Sequence, residues 1–176
     1  MRPLQARAFA WACLAAAGVV LVDQSTKALA ITMLSTTTRV PLLGDAFGLQ
    51  LAFNPGAAFS LGAGSTGVIT AITFAAVVFL TRAATRATSP AWAAGIGLIW
   101  GAAIGNLLDR LLAPPGFGVG QVTDFLAYGE LFIGNIADAA LFVGFAVLGW
   151  QLYRESRQRR RSQNVRLAPT AAEASE

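Results

Sequence analysis

Four long apolar blocks, each closed by a short polar or charged segment, set the pattern of this chain. The first, AFAWACLAAAGVVLV at 8–22, is preceded by Arg2 and Arg7 and followed by DQSTK at 23–27. It has the basic start and apolar core of a cleaved signal peptide, with an Ala-x-Ala at Ala28 to Ala30. However, Asp23 and Lys27 interrupt it before that site and three more apolar segments follow, so a retained helix is the better reading. In a continuing helix Asp23 and Lys27, four apart, fall on one face as an ion pair at the membrane edge. There they serve either as an interfacial anchor or as part of a site.

Residues 35–65 change character. β-Branched Thr36 to Val40, then Pro41, Gly44, Asp45, Gly48 and the alternating FGLQLAFN predict short strands joined by turns, a small β-rich platform outside the bilayer. It closes with Asn54, Pro55, Gly56, Ala57, Ala58 and Phe59. This is a plain turn, or a place where small residues let a ligand or extended peptide approach the backbone.

Thr66 to Thr81 predict the second helix, ending at Arg82 and Arg86, and Ala91 to Leu112 the third. Glycines at 97, 101 and 105 repeat every four residues and offer one face for close helix packing. Asn106, Asp109 and Arg110 lie within one turn, which predicts a local Asp109–Arg110 ion pair. The stretch APPGFGVGQVT at 113–123 reads as a flexible connection to Asp124. The apolar segment from Phe125 to Phe132, with Glu130 inside it, reads as a short flap along the interface. Asn135 opens NIADAALFVGFAVLGWQLY, a fourth block of about 19 residues, long enough to cross a hydrocarbon core.

Composition agrees with this reading: 55% of residues are apolar, 12% are charged and mean hydropathy is +0.58, as in an integral membrane protein. The predicted fold is membrane all-α with a small β element. It is a four-transmembrane-helix bundle forming one domain over 1–160, with a disordered polar tail at 161–176. Arg2, Arg7, Arg82, Arg86, Arg154, Arg157, Arg159, Arg160, Arg161 and Arg166 fall on one side of a four-span layout, against Lys27, Arg39 and Arg110 on the other. Both termini are thereby expected in the cytoplasm, the cations facing anionic lipid rather than nucleic acid. Six of the nine acids, Asp23, Asp45, Asp109, Asp124, Glu130 and Asp138, collect at the outer edge.

The chain has no histidine and a single cysteine, Cys13. That excludes a Ser-His-Asp triad, a Cys-His pair, a His-ligated zinc site and a disulfide framework from this chain alone. Acid–base chemistry near neutral pH is left to carboxylates. Two carboxylates held close together share one proton, so that one serves as base and the other as acid toward a water attacking a peptide carbonyl. Spacing does not say which two pair. Asp109 has Arg110 beside it and reads as structural; Asp124 has no basic neighbour in sequence. Asn135-x-x-Asp138 reads equally well as a helix cap with an acid in the first turn and as a catalytic position. A small transporter or proton pathway also uses intramembrane acids, but at mid-span or in repeated halves, and neither is visible here. A structural scaffold accounts for the glycine stripe and not for the acidic rim.

Taken in order, DQSTK at 23–27, NPGAAFS at 54–60, GNLLDR at 105–110, VTDF at 122–125 and NIADAAL at 135–141 resemble the motif series of the lipoprotein signal peptidases, the signal peptidase II family. The resemblance covers Val22 to Val143. It implies an intramembrane aspartyl endopeptidase of the bacterial cytoplasmic (inner) membrane, a monomer without cofactor or metal. Such an enzyme removes the signal peptide of prolipoproteins before a diacylglyceryl-modified cysteine, with its site toward the extracytoplasmic face. It places the catalytic pair on Asp124 and Asp138, and supporting or substrate-binding roles on Asp23, Lys27, Asn54, Gly56, Asn106, Asp109, Arg110 and Asn135. Two positions depart from the family pattern. Trp100, Gly101 and Ala102 stand where two glycines and a small residue are common. Gly134 stands where Phe is frequent, which predicts looser packing beside Asp138.

Overall fold

The structure is a computed structural model, and it describes residues 3–56 and 61–167. Ala57, Ala58 and Phe59 of the expected turn lie outside the described residues. Four helices carry the fold: α1 (Pro3–Met33), α2 (Thr66–Thr85), α3 (Pro90–Leu112) and α4 (Ile136–Leu167). All four are long and apolar enough to cross a membrane. The threonines of α2 show how polar side chains are carried in such a helix. The Oγ1 atoms of Thr70, Thr73 and Thr81 donate to the carbonyls of Thr66, Ile69 and Val77, four residues back, at 2.8–2.9 Å. At the start of α3 the Ser89 hydroxyl accepts from Trp92 N at 3.3 Å with Pro90 in the first turn, and Pro114 follows the last turn.

α3 touches each of the other three helices. Its glycines make this possible. A Cβ added at Gly97 would stand 2.6 Å from the Ala12 carbonyl oxygen, at Gly101 2.6 Å from that of Ala16, and at Gly105 2.6 Å from Asp23 Oδ2. The predicted stripe is thus the contact with α1. Gly95 and Gly144 do the same between α3 and α4, where added methyls would meet Leu148 and Ile99. Trp100 stacks on Phe9 at 6.4 Å instead of entering the glycine seam, so the bulky departure at this position is accommodated. A methyl in the seam has to force α1 away. Gly101→Ala is therefore expected to lower stability by about 1–3 kcal/mol, read as a lower unfolding temperature in detergent. Gly149→Ala, with nothing within 4 Å of the new atom, should stay near wild type.

The β element is a four-stranded antiparallel sheet in the order β1 (Val40–Leu43), β2 (Phe47–Asn54), β3 (Val122–Tyr128) and β4 (Phe132–Gly134). Only the first two strands come from the region expected to form a platform. The other two come from the segments read as flexible connection and flap, and both readings are corrected here. Residues 125–132 are strand, turn and strand. Residues 113–121 form a closed loop in which Gly120 N donates to the Arg110 carbonyl (3.0 Å) and Gln121 N to that of Pro114 (3.1 Å). Gly120 is required there, since any Cβ would collide with the carbonyl oxygen of Asp109 and stand 2.7 Å from that of Ala113. The register pairs Ala52 with Asp124, Asn54 with Val122 and Leu126 with Gly134.

At the other end α4 continues to Leu167 through residues 161–167, where a disordered tail was expected. Arg161, Gln163, Arg166 and Leu167 are good helix formers in this part. Glu155 anchors the base of the extension by accepting from Trp92 Nε1 at 2.7 Å. Residues 168–176 lie outside the described residues.

Candidate active site

The polar residues predicted for the site converge where the last third of α1, the end of α3, the start of α4 and the two central strands meet. Lys27 is the hub. Its buried ammonium donates its three protons to Asp23 Oδ2 (2.7 Å), Asp109 Oδ2 (2.9 Å) and Asn106 Oδ1 (2.9 Å). The expected Asp23–Lys27 pair on one face of α1 is present. The expected Asp109–Arg110 pair is not: adjacent helix positions point about 100° apart, and the two side chains have different partners. Asp109 faces α1 and β3, accepting from Gln24 Nε2 (3.1 Å) and from the backbone N–H of Thr123 (3.1 Å). Arg110 faces the turn after β2, where Nη2 donates to the Gly56 carbonyl at 2.6 Å.

Asp23 extends the network to α4, its Oδ1 accepting from the backbone N–H of Ala137 at 3.0 Å. Gln24, adjacent to Asp23 and also in contact with the Gly105 carbonyl, was not singled out from sequence. Its signal there was its place in the polar block DQSTK, between Asp23 and Lys27. The backbone donors of Thr123 and Ala137 left no sequence signal, because every residue has an N–H.

Asn135 and Asp138 form the predicted cap. Asp138 N donates to Asn135 Oδ1 at 3.0 Å and Asn135 N to Asp138 Oδ2 at 3.1 Å, a reciprocal capping box. The cap leaves the Asn135 amide nitrogen free to reach inward, and it donates to Asp124 Oδ1 at 2.6 Å and to Asn106 Oδ1 at 3.3 Å. Asn54 supplies the second donor to Asp124, Nδ2 to Oδ2 at 3.2 Å, while its own Oδ1 accepts from Gly56 N at 2.9 Å. Asn106 also bonds the Asp138 carboxyl. The structure thus brings together all ten predicted site residues, with Gly56 contributing backbone only.

Asp124 is buried, and that burial lifts its carboxyl from the usual 3.8 to about 6. The donors of Asn135 and Asn54 and the charge of Lys27 hold the rise back, and the nearby Asp138 carboxylate adds to it. Charge in the cluster is unbalanced, with four carboxylates (Asp23, Asp109, Asp124, Asp138) and two cations (Lys27, Arg110). Among the described residues, the salt bridges of Lys27 are to Asp23 and Asp109. Asp124 and Asp138 face neutral donors.

Gly134 does not loosen the packing beside Asp138. A Cβ at this position would stand 2.9 Å from Asp138 Oδ2 and 3.2 Å from Cε2 of Phe132, whose ring fills the place a larger residue would take.

Comparison with known proteins bears on the family and the fold. The family model described as signal peptidase (SPase) II matches residues 15–154. The lipoprotein signal peptidase of Leifsonia xyli is 46% identical over 124 residues, covering 70% of this chain and 57% of its own length. That of Rhodococcus jostii is 41% identical over 133 residues (75% and 67%), and that of Bifidobacterium longum 39% over 145 (82% and 79%). Two solved structures, described as a bacterial membrane enzyme solved by the in meso method at 2.3 and 1.9 Å, superpose with TM-scores of 0.73 and 0.69. They share 26% and 25% identity, covering 82% and 80% of this chain and 88% and 91% of theirs. With the motifs, the four apolar helices and the family match in agreement, the chain belongs to the signal peptidase II family.

Proposed function

We propose that this protein is an intramembrane aspartyl endopeptidase that removes the signal peptide of bacterial prolipoproteins, cutting before a diacylglyceryl cysteine, with Asp124 and Asp138 as the catalytic pair. The observation that carries the reading is the division of partners within the buried cluster. Lys27 makes its salt bridges with Asp23 and Asp109 and leaves Asp124 and Asp138 facing neutral donors, and two close carboxylates so placed hold one proton between them. Both carboxyls accept two donors, Asp124 from Asn54 and Asn135 and Asp138 from Asn135 N and Asn106, so hydrogen bonding does not rank them; we assign Asp124 the role of base and Asp138 that of acid.

Asp124 takes a proton from a water whose oxygen attacks the scissile carbonyl carbon, while Asp138 gives its proton to the carbonyl oxygen. In the collapse of the tetrahedral intermediate, Asp124 passes its proton to the leaving nitrogen and the hydroxyl proton returns to Asp138. The pair ends as it began. Arg110, on the Gly56 carbonyl, and Asn54, on the Gly56 N–H, hold the chain just after β2, beside which an extended peptide lies. The cation bias described above supports cytoplasmic termini, with this cluster and its sheet at the extracytoplasmic face of the cytoplasmic membrane.

Reconstituted protein should release the signal peptide from a prolipoprotein carrying diacylglyceryl cysteine and leave that cysteine as the new N-terminus, read by mass spectrometry. A lipid-modified precursor left intact, or cut elsewhere, would defeat the proposal. Because Asp124 must be ionised to act, kcat/KM is expected to rise with pH through about 6, by up to about tenfold per pH unit below that point. A profile flat from pH 5 to 7 would remove Asp124 from the role of base.

A further inference from the structure

The row of rings beside the candidate pair has no assigned task. Phe47 and Tyr128 lie 5.3 Å apart, Tyr128 stacks on Phe132 at 4.7 Å, and the row ends at Asp138. The geometry of β4 explains why it ends there. Residues 132 and 134 point to the same face of the strand, so a side chain at 134 would separate the Phe132 ring from the carboxyl. Glycine removes that obstacle, and the ring leans along the strand until Cε2 and Cδ2 stand 3.2 and 3.6 Å from where a Cβ would sit. Asp138 Oδ2 lies 2.9 Å from the same point, so the ring and the carboxyl both border the space at Gly134. The backbone at Gly134 is held by pairing with Leu126 on β3 and by the cap at Asn135 just after it. Phe132 therefore has a fixed position. Even so, 37% of the residue stays accessible, so the ring offers a surface beside the carboxyl.

We propose that Phe132 is a specificity-determining residue of this active site, its ring forming the apolar wall beside Asp138 that limits the size of the substrate side chain preceding the scissile bond. The inference rests on the peptidase reading above. A peptide carbonyl placed between Asp124 and Asp138 brings its own residue's side chain next to whatever flanks Asp138. On the β4 side that flank is the Phe132 ring. A small side chain fits between ring and carboxyl, and a branched or aromatic one meets the ring.

The test uses the full-length protein reconstituted in lipid and two prolipoprotein substrates, with Ala or Leu before the lipid-modified cysteine. Phe132→Ala is expected to raise the Leu-to-Ala ratio of kcat/KM by about tenfold or more, in the range that one to a few methylene groups decide in an apolar pocket. Phe132→Leu should give an intermediate ratio, and it stands in if the alanine variant melts early. Gly134→Ala is expected to cut kcat/KM for both substrates by about tenfold, since its methyl intrudes between ring and carboxyl. The Phe132→Ala/Gly134→Ala double variant should recover part of that loss. A folded Phe132→Ala or Phe132→Leu protein whose Leu-to-Ala ratio stays within twofold of wild type overturns the inference and leaves the catalytic pair standing. Full cleavage by Asp124→Asn overturns the peptidase reading itself, whatever the ratios show.

Discussion

Asp124→Asn is expected to insert and fold as the wild type does and to lose prolipoprotein cleavage by at least about 10²-fold, within the 10²–10⁴ that a positioned acid–base group contributes. The substitution is nearly isosteric, and Asn54 and Asn135 can keep one of their two contacts with the new amide. Its effect on stability should run the other way. The Asp124 carboxyl is held at about 6 in the fold against the usual 3.8. The folded protein therefore binds a proton more tightly than the unfolded chain. This group's contribution is fully present below about pH 4, is lost as pH rises through about 6, and stays lost above. Asparagine has no such dependence. Relative to wild type, the variant's unfolding temperature should gain between pH 4 and 6 and hold that gain at pH 7–8, on the order of 1–3 kcal/mol from the size of the rise. A variant that is inactive because it is unfolded would show the opposite, and one that cleaves at the wild-type rate would end the assignment.

Lys27→Met is expected to be the most damaging single change to the fold. It removes the ammonium that Asp23, Asp109 and Asn106 share and leaves two buried carboxylates without a cation. Breaking a buried pair by deleting one partner costs about 3–5 kcal/mol, and here one deletion breaks two. Thermal unfolding in detergent and the yield of folded protein measure this directly. Asp23→Asn combined with Lys27→Met should recover part of the loss by removing one orphaned charge. An unchanged melting temperature for Lys27→Met would mean that the cluster carries no structural load.

What was legible in the sequence was whatever depends on neighbours along the chain. The helices follow from apolar blocks, the Asp23–Lys27 pair from a spacing of four, the α1 seam from glycines at 97, 101 and 105, and the cap from Asn135-x-x-Asp138. What was missed depends on residues far apart. β3 lacks the polar–apolar alternation that marks a strand, because in the middle of the sheet Val122 to Phe125 are all buried, so VTDF reads as the end of a loop. Its partner, β2, lies about seventy residues earlier, and no local pattern announces that pairing. The wrong partner for Asp109 has the same origin. Arg110 is next in sequence, but helix geometry turns the two apart, and Lys27 arrives from another helix. Phe132 was read as part of a flap because only the register of β4 reveals that it reaches over Gly134.

The Lys27 hub also has a consequence for how the protein is made. Asp23 and Lys27 are synthesised together on α1, one turn apart, well before Asp109, Asp124 or Asp138 exist. Paired with each other they bring that turn of α1 to the bilayer with no net charge, which lowers the cost of carrying two ionised groups into it. Asp109 joins the hub from α3, and the bond it accepts from Thr123 N ties the hub to β3. Both members of the candidate pair are synthesised after the three charged groups of the hub. A chain stalled before α4 lacks Asp138 and with it one half of the proposed pair.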